Sequence, residues 1–253
     1  MSAFKLFLDS DYSSYKSADT SPTDMNFNIN GVLSDNYDVY EFALLECSAP
    51  NIEPTFQTGY NTSLVFRENG GAVDFTAVIN QGTYTGTDLA TEIASRMNSV
   101  VGIANSYTCS YNQSTLKLTI TANIPNTFRI MGTSTCLAEL GFTSTGTSGF
   151  STTHTSNYIV NLVGSRYMDI IINHPTNSLS TGQQSRSNML GRVKWEVPKG
   201  SIQLYQAQVP LTHNVSRNSL ANMEIRFFNS AGRQMNLDPN HRITLTLQIR
   251  PVQ

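Results

Sequence analysis

The sequence predicts an all-β protein: a single jelly-roll sandwich with an inserted second small β-rich domain that contains one short helix. Three observations predict it. Charged residues make up only 13% of the 253 positions, so Ser, Thr, Asn and Gln carry the solubility, a balance that suits strand faces and turns better than exposed helices. Side chains alternate with period two in a block near the start and again past residue 158. The stretch between these blocks holds the one good helical stripe.

Taken in order, the chain opens on a short apolar segment, Phe4, Leu6 and Leu8. A polar, aperiodic stretch over 10–24 with a proline follows, which predicts an extended arm that orders against a neighbour. Met25, Phe27 and Ile29 then alternate with Asn26, Asn28 and Asn30, the pattern of a strand with one wet face. Tyr37 to Cys47 is apolar on both parities, Val39, Ala43 and Leu45 against Tyr40, Phe42 and Leu44. It predicts a central strand covered on both sides and ended by Pro50 and Pro54.

From Tyr60 the texture changes. Leu64 to Phe66, Val73 to Ile79 and Leu116 to Ile120 read as strands, with Asn69-Gly-Gly71 as the hairpin turn between the first two. Thr85-Gly-Thr-Asp88 resembles a capping box, and Leu89, Ile93 and Met97 fall at i, i+4 and i+8 with Ala90 and Ala94 beside them, one apolar stripe on a short helix. Phe128, Ile130, Leu137, Leu140 and Phe142 close the segment before a Ser/Thr/Gly loop from Thr143 to Ser156.

Beyond the loop, Met168, Ile170 and Ile172 share a face. So do Val193, Trp195 and Val197, while Arg192, Lys194 and Glu196 point to water. Ile202 and Leu204 share one parity and Tyr205, Ala207 and Val209 the other, a phase slip that predicts a β-bulge near Leu204. Met223, Ile225 and Phe227 face inward, and after a polar loop with Gly232 and Pro239, Ile243, Leu245, Leu247 and Ile249 alternate with Thr244, Thr246 and Gln248. A one-residue slip there would bury three polar side chains, so this register is well fixed. Strands from the two ends are too few apart and enough together for an eight-stranded Greek-key sandwich. The expected organisation is therefore a discontinuous jelly-roll base over 1–58 and 155–253, with 59–154 as an inserted upper domain.

Composition narrows the function classes. A formal net charge of −2 with scattered Lys and Arg offers no basic stripe for nucleic acid. No apolar run approaches the roughly 20 residues of a membrane span, and Lys5 breaks the opening segment too early for a signal peptide, so a chain made in the cytosol is expected. Cys47, Cys109 and Cys136 lack any C-x-x-C spacing and read as reduced, buried thiols. His154, His174, His213 and His241 lie far apart without metal-ligand spacing, and Asp9-Ser-Asp11 lacks the later carboxylate that a calcium loop requires. Most carboxylates sit beside Lys, Arg or Asn and read as solvated charges. Trp195 shares the parity of Val193 and Val197, which favours core packing over a sugar platform. With no nucleophile elbow, phosphate loop or zincin motif present, no catalytic, cofactor or metal residue is expected, and the chain reads as a non-enzyme.

The stretch Tyr37 to Pro50, the segment Val78-Ile-Asn-Gln-Gly-Thr-Tyr-Thr-Gly-Thr-Asp-Leu-Ala-Thr-Glu-Ile93, Leu140-Gly-Phe142 and Met223 to Ile249 together resemble penton proteins of virophages, polinton-like viruses and related large DNA viruses. The resemblance spans nearly the whole chain. It implies a jelly-roll base at the five-fold vertex of an icosahedral capsid, an inserted domain facing outward, and a homopentamer held by the major capsid protein. It further implies a virion location after assembly in the host cytoplasm, with a minor capsid protein or a host-surface receptor as further partner of the insertion. No catalytic residue carries over. The same strand pattern supports a rival reading, a receptor- or carbohydrate-binding virion head, for which Tyr60, Tyr84, Phe150 and Tyr158 are the candidate aromatics. A cupin or glycosidase is a further rival, and a cupin needs a local His pair that this sequence does not supply.

Overall fold

The structure, a computed structural model, describes residues 3–12, 24–34, 36–69, 71–123, 125–173, 189–235 and 242–252. In chain order the strands are β1 (Phe4–Asp9), β2 (Asp24–Asn28), β3 (Val39–Pro50), β4 (Ser63–Glu68) and β5 (Asp74–Val78). Helix α1 (Gly86–Asn98) precedes β6 (Tyr107–Asn112), β7 (Lys117–Ala122) and β8 (Phe128–Ile130), and the single turn α2 (Leu137–Leu140) precedes β9 (Thr153–Thr155). Then come β10 (Tyr167–Asn173), β11 (Met189–Lys194), β12 (Ile202–Gln206), β13 (Thr212–Ser216), the short α3 (Arg217–Ala221), β14 (Asn222–Asn229) and β15 (Thr244–Pro251).

Two antiparallel sheets form the first compact unit. One runs β1-β15-β3, with β12 and β13 both on the far edge of β3; the other runs β11-β10-β14-β2. Counting β12 and β13 as one interrupted strand leaves eight, and their order in the two sheets is that of a jelly roll. The alternation read from the sequence selects the inner faces: Met25 and Phe27, Met168, Ile170 and Ile172, Met223, Ile225 and Phe227, and Leu245, Leu247 and Ile249 all belong to one buried cluster. The opening apolar segment is itself a strand, with Leu6 opposite Leu247 and Leu8 opposite Leu245. Most of the expected arm lies outside the described residues; Ser10–Tyr12 form a 3-10 turn.

The structure corrects the expectation for β3. Leu247 pairs with Leu44 and Thr246 with Glu46, leaving Leu45 as an extra residue. This bulge switches the parity that faces the core: Tyr40, Phe42 and Leu44 point inward before it, Cys47 and Ala49 after it. The shift accounts for Cys47 and Ala49; of the other opposite-parity residues, Val39 is exposed and Leu45 half-buried, so that face is covered only in part, at the buried Ala43. The bulge expected near Leu204 is displaced too. β12 keeps unbroken register against Glu46 to Pro50, and the irregularity follows Gln206, where Ala207 N donates to Leu45 O at 2.8 Å before the chain rejoins β3 as β13 opposite Ala43.

The second unit, residues 54–164, has its own core. Sheets β5-β4-β8 and β6-β7-β9 supply it, together with α1, whose Leu89, Ile93 and Met97 are fully buried. Thr85 caps the helix as its sequence suggests, accepting from Asp88 N at 3.2 Å while its hydroxyl donates to the Asp88 carboxylate at 2.7 Å. Gly86 lets the helix start lie against the Tyr111 ring, which a Cβ would strike. Gly141 ends α2 with φ of 78°, a left-handed cap.

Residues 1–53 and 165–253 pack as one compact unit, and 54–164 form the other. The return to the first unit thus comes after Gly164, later than residue 154. The reason is local: the segment read as a loop contains β9, whose Thr153 and Thr155 face Thr121 and Thr119 of β7, hydroxyl to hydroxyl at 3.3 and 2.9 Å. Val160 N donating to Leu116 O and Asn161 N to Glu139 O keep the following residues in the same unit.

Candidate functional site

The residue types that carry chemistry are occupied structurally. His154 Nε2 lies 2.7 Å from Phe128 O with its ring edge-on to the Phe128 ring, and His213 Nε2 lies 3.0 Å from Met189 O beside Phe42. His174 and His241 lie outside the described residues. Among the described residues no three His, Cys, Asp or Glu side chains gather as a metal site. Burial pushes the Cys47 and Cys109 thiols up to about 12, and Cys136 upward as well, so none is a thiolate at neutral pH. Asp9 pairs with a guanidinium: Arg242 Nε donates to it at 2.8 Å and holds its carboxyl below the usual range.

Among the described residues three carboxylates are buried, where the sequence suggested that most are solvated charges. Glu68 accepts from Tyr107 Oη at 2.9 Å and from the amides of Ala104 and Asn105 at 2.9 and 3.0 Å. Asp169 is fully buried under Arg192, which contacts both its oxygens at 2.7 and 3.2 Å and lies 3.9 Å over the Tyr167 ring. Glu53 accepts from Asn229 Nδ2 at 2.7 Å. All three bind partners distant in sequence, and these contacts hold strands and turns together rather than line a cleft. Trp195 packs against the first core with its Nε1 buried and without a hydrogen-bond partner among the described residues.

The prominent surface feature is the outer face of the β1-β15-β3-β12 sheet. Because Tyr205 points to the core, Ile202 and Leu204 point out, and they are 63% and 73% exposed. Phe7, outward on β1 because Leu8 is inward, is 73% exposed. Between these banks lies a groove of about 510 Å³ whose lining includes Glu46, Ser48, Thr244 and Thr246. The sequence marked Ile202 and Leu204 only as one apolar parity. The signal for their exposure was Tyr205 on the opposite parity, which decides the face only once the neighbouring strand is known.

In the second unit, Tyr60, Phe150 and Tyr158 are exposed, and Arg129 lies 5.0 Å over the Phe150 ring. Tyr84 is engaged within the unit: its ring packs edge-on to Phe56 and its hydroxyl donates to Asn80 O at 2.8 Å.

No protein-family model matches this chain, and no curated protein does. Among solved structures, the crystal structure of the selenomethionine-labelled mavirus penton protein matches with a TM-score of 0.51 and 13% identity, over 98% of this chain and 100% of that one. This chain shares its fold with a penton protein. The likeness extends through the jelly roll and the insertion alike, because both chains are covered almost end to end.

Proposed function

We propose that this chain is a structural virion protein, the penton subunit that closes the five-fold vertices of an icosahedral capsid as a ring of five copies held by major capsid protein. The observation that carries this reading is the end-to-end likeness to a penton protein, insertion included. A jelly roll by itself hosts many functions, whereas a jelly roll interrupted between its third and fourth strands by a unit with a separate core is a narrower architecture. The physical character of the chain supports it. Buried carboxylates and histidines bonded to backbone or to arginine leave no assembled catalytic group among the described residues. Low charge content lets neighbours pack without desolvating many ions.

In this reading the protein has no catalytic role, resides in the virion after assembly in the host cytoplasm, and contacts the major capsid protein through its base. The insertion faces outward, where a minor capsid protein or a host receptor meets it. Tagging the insertion at the exposed Val101 and labelling intact virions with gold tests the assignment. Label confined to the vertices is expected; label spread over the facets, or none on virions, contradicts it. The exposed Tyr60 and Tyr158 favour a second, compatible reading in which the insertion binds glycans, and selective signal on a glycan array would support it.

A further inference from the structure

We propose that the outer face of the β1-β15-β3-β12 sheet, with Phe7 on one bank of its groove and Ile202 and Leu204 on the other, is a self-association surface covered by a second copy of this chain. The inference rests on the penton reading, which requires each copy to touch another. Its own support is physical. Alternation along strands places polar residues on a solvated outer face, yet Phe7, Ile202 and Leu204 stand there 63–73% exposed, and Val209 and Leu211 in the connection at the same edge are 85% and 50% exposed.

At these exposures the five side chains leave on the order of 600 Å² of apolar surface open, in two banks that β15 and β3 hold three strand spacings, about 14 Å, apart, and with the polar floor between them the face approaches the roughly 800 Å² per partner of a standard interface. The occupant is therefore a protein surface of full interface size rather than a small ligand. Charge narrows it further. The arginines of this face are already bonded across strands, Arg250 to Glu41 and Arg242 to Asp9, and the exposed Lys5 of β1 stands apart from them, so among the described residues the face offers no cationic cluster to phosphate or to an acidic partner. A nearly neutral chain with few charges meets such a face with few ions to desolvate, the Glu46 carboxylate of the groove among them, and a copy of this protein, at a formal −2 with 13% charged residues, has that character. The floor, small polar Ser48, Thr244 and Thr246 with Glu46 bonded to the Thr246 hydroxyl, leaves room for an inserted side chain between the banks.

Analytical ultracentrifugation of the full chain as wild type, L204D, F7D and V101D tests the proposal. Wild type is expected to associate with rising concentration, and L204D and F7D to weaken association by roughly 100-fold, the loss typical of a residue at an interface centre. Val101, 94% exposed in the other unit, is the control, and V101D is expected to associate as wild type does. Unchanged melting temperatures establish that the exposed substitutions leave the fold intact. Wild-type protein that stays monomeric, or L204D and F7D that associate like wild type, overturns the proposal. Rings of five that persist in L204D would leave the penton reading standing and place its contacts elsewhere. A two-copy complex abolished by L204D would uphold this surface and count against the ring.

Discussion

Leu44 of β3 and Leu247 of β15 are paired, and the next pair along the same two strands is Glu46 with Thr246, so Leu45 has no counterpart. The extra residue puts Leu44 and Cys47, three positions apart, on the same inner face. It also coincides with the break between β12 and β13, since Ala207 N reaches Leu45 O where the edge strand departs. One residue therefore shapes both the core register and the outer groove.

Deleting Leu45 should join Leu44 directly to Glu46 in strict alternation, with Leu44 and Cys47 still inward and Glu46 still outward, but without the Leu45 carbonyl that accepts from Ala207 N where the edge strand departs. Leaving that donor without its acceptor costs about 1–3 kcal/mol. Urea denaturation is expected to show this loss for the deletion and much less for L45A.

Glu68 ties the second unit together through Tyr107 Oη and the Ala104 and Asn105 amides. Removing the carboxylate in E68A leaves those donors without their acceptor and should cost about 2–4 kcal/mol, whereas Y107F removes the bond to Glu68 and the long one from Asn105 Nδ2 at 3.4 Å and should cost about 1 kcal/mol. Chemical denaturation of the two variants should rank them in that order.

The Asp9–Arg242 pair sets a pH dependence. The hydrogen bond from Arg242 holds the folded Asp9 carboxyl below its usual value of 3.8. A lowered folded pKa contributes stability above the unfolded value that is lost as pH falls through the folded one. The difference in melting temperature between wild type and R242M is therefore expected at neutral pH and should shrink below about pH 3.8. A difference that grows on acidification would assign the pair the wrong sign.

The cysteines should behave as packing residues. With Cys47 and Cys109 pushed up to about 12 and Cys136 also raised, native protein should react slowly with Ellman's reagent at pH 8, and all three thiols should react once the chain is unfolded.

Where one face was buried and the other wet, the sequence was readable: Met223 to Phe227 and Ile243 to Ile249 sit in the register that alternation demands. Tyr37 to Cys47 reads as covered on both sides because Val39 and Leu45 are apolar on a face that is open, and because the bulge at Leu45 brings Cys47 onto the inner parity, which only the partner strand reveals. β9 was hidden in a Ser/Thr/Gly stretch, since its strand depends on hydroxyl pairs with Thr119 and Thr121 and not on an apolar face. The buried Glu68 and Asp169 were illegible for a related reason: their partners lie 23 to 39 residues away. The exposed bank at Ile202 and Leu204 could be seen as apolar, but not as outward, until β12 was placed against β3.

Whether a jelly roll with a separately cored insertion serves as the vertex subunit is tested most directly by cryo-electron microscopy of purified virions, reconstructed at the five-fold axis. Density at each vertex should accept five copies of this chain, with the β1-β15-β3-β12 sheet and its partner in the base. Vertices built from another protein, with this chain absent or elsewhere on the shell, would contradict the vertex assignment.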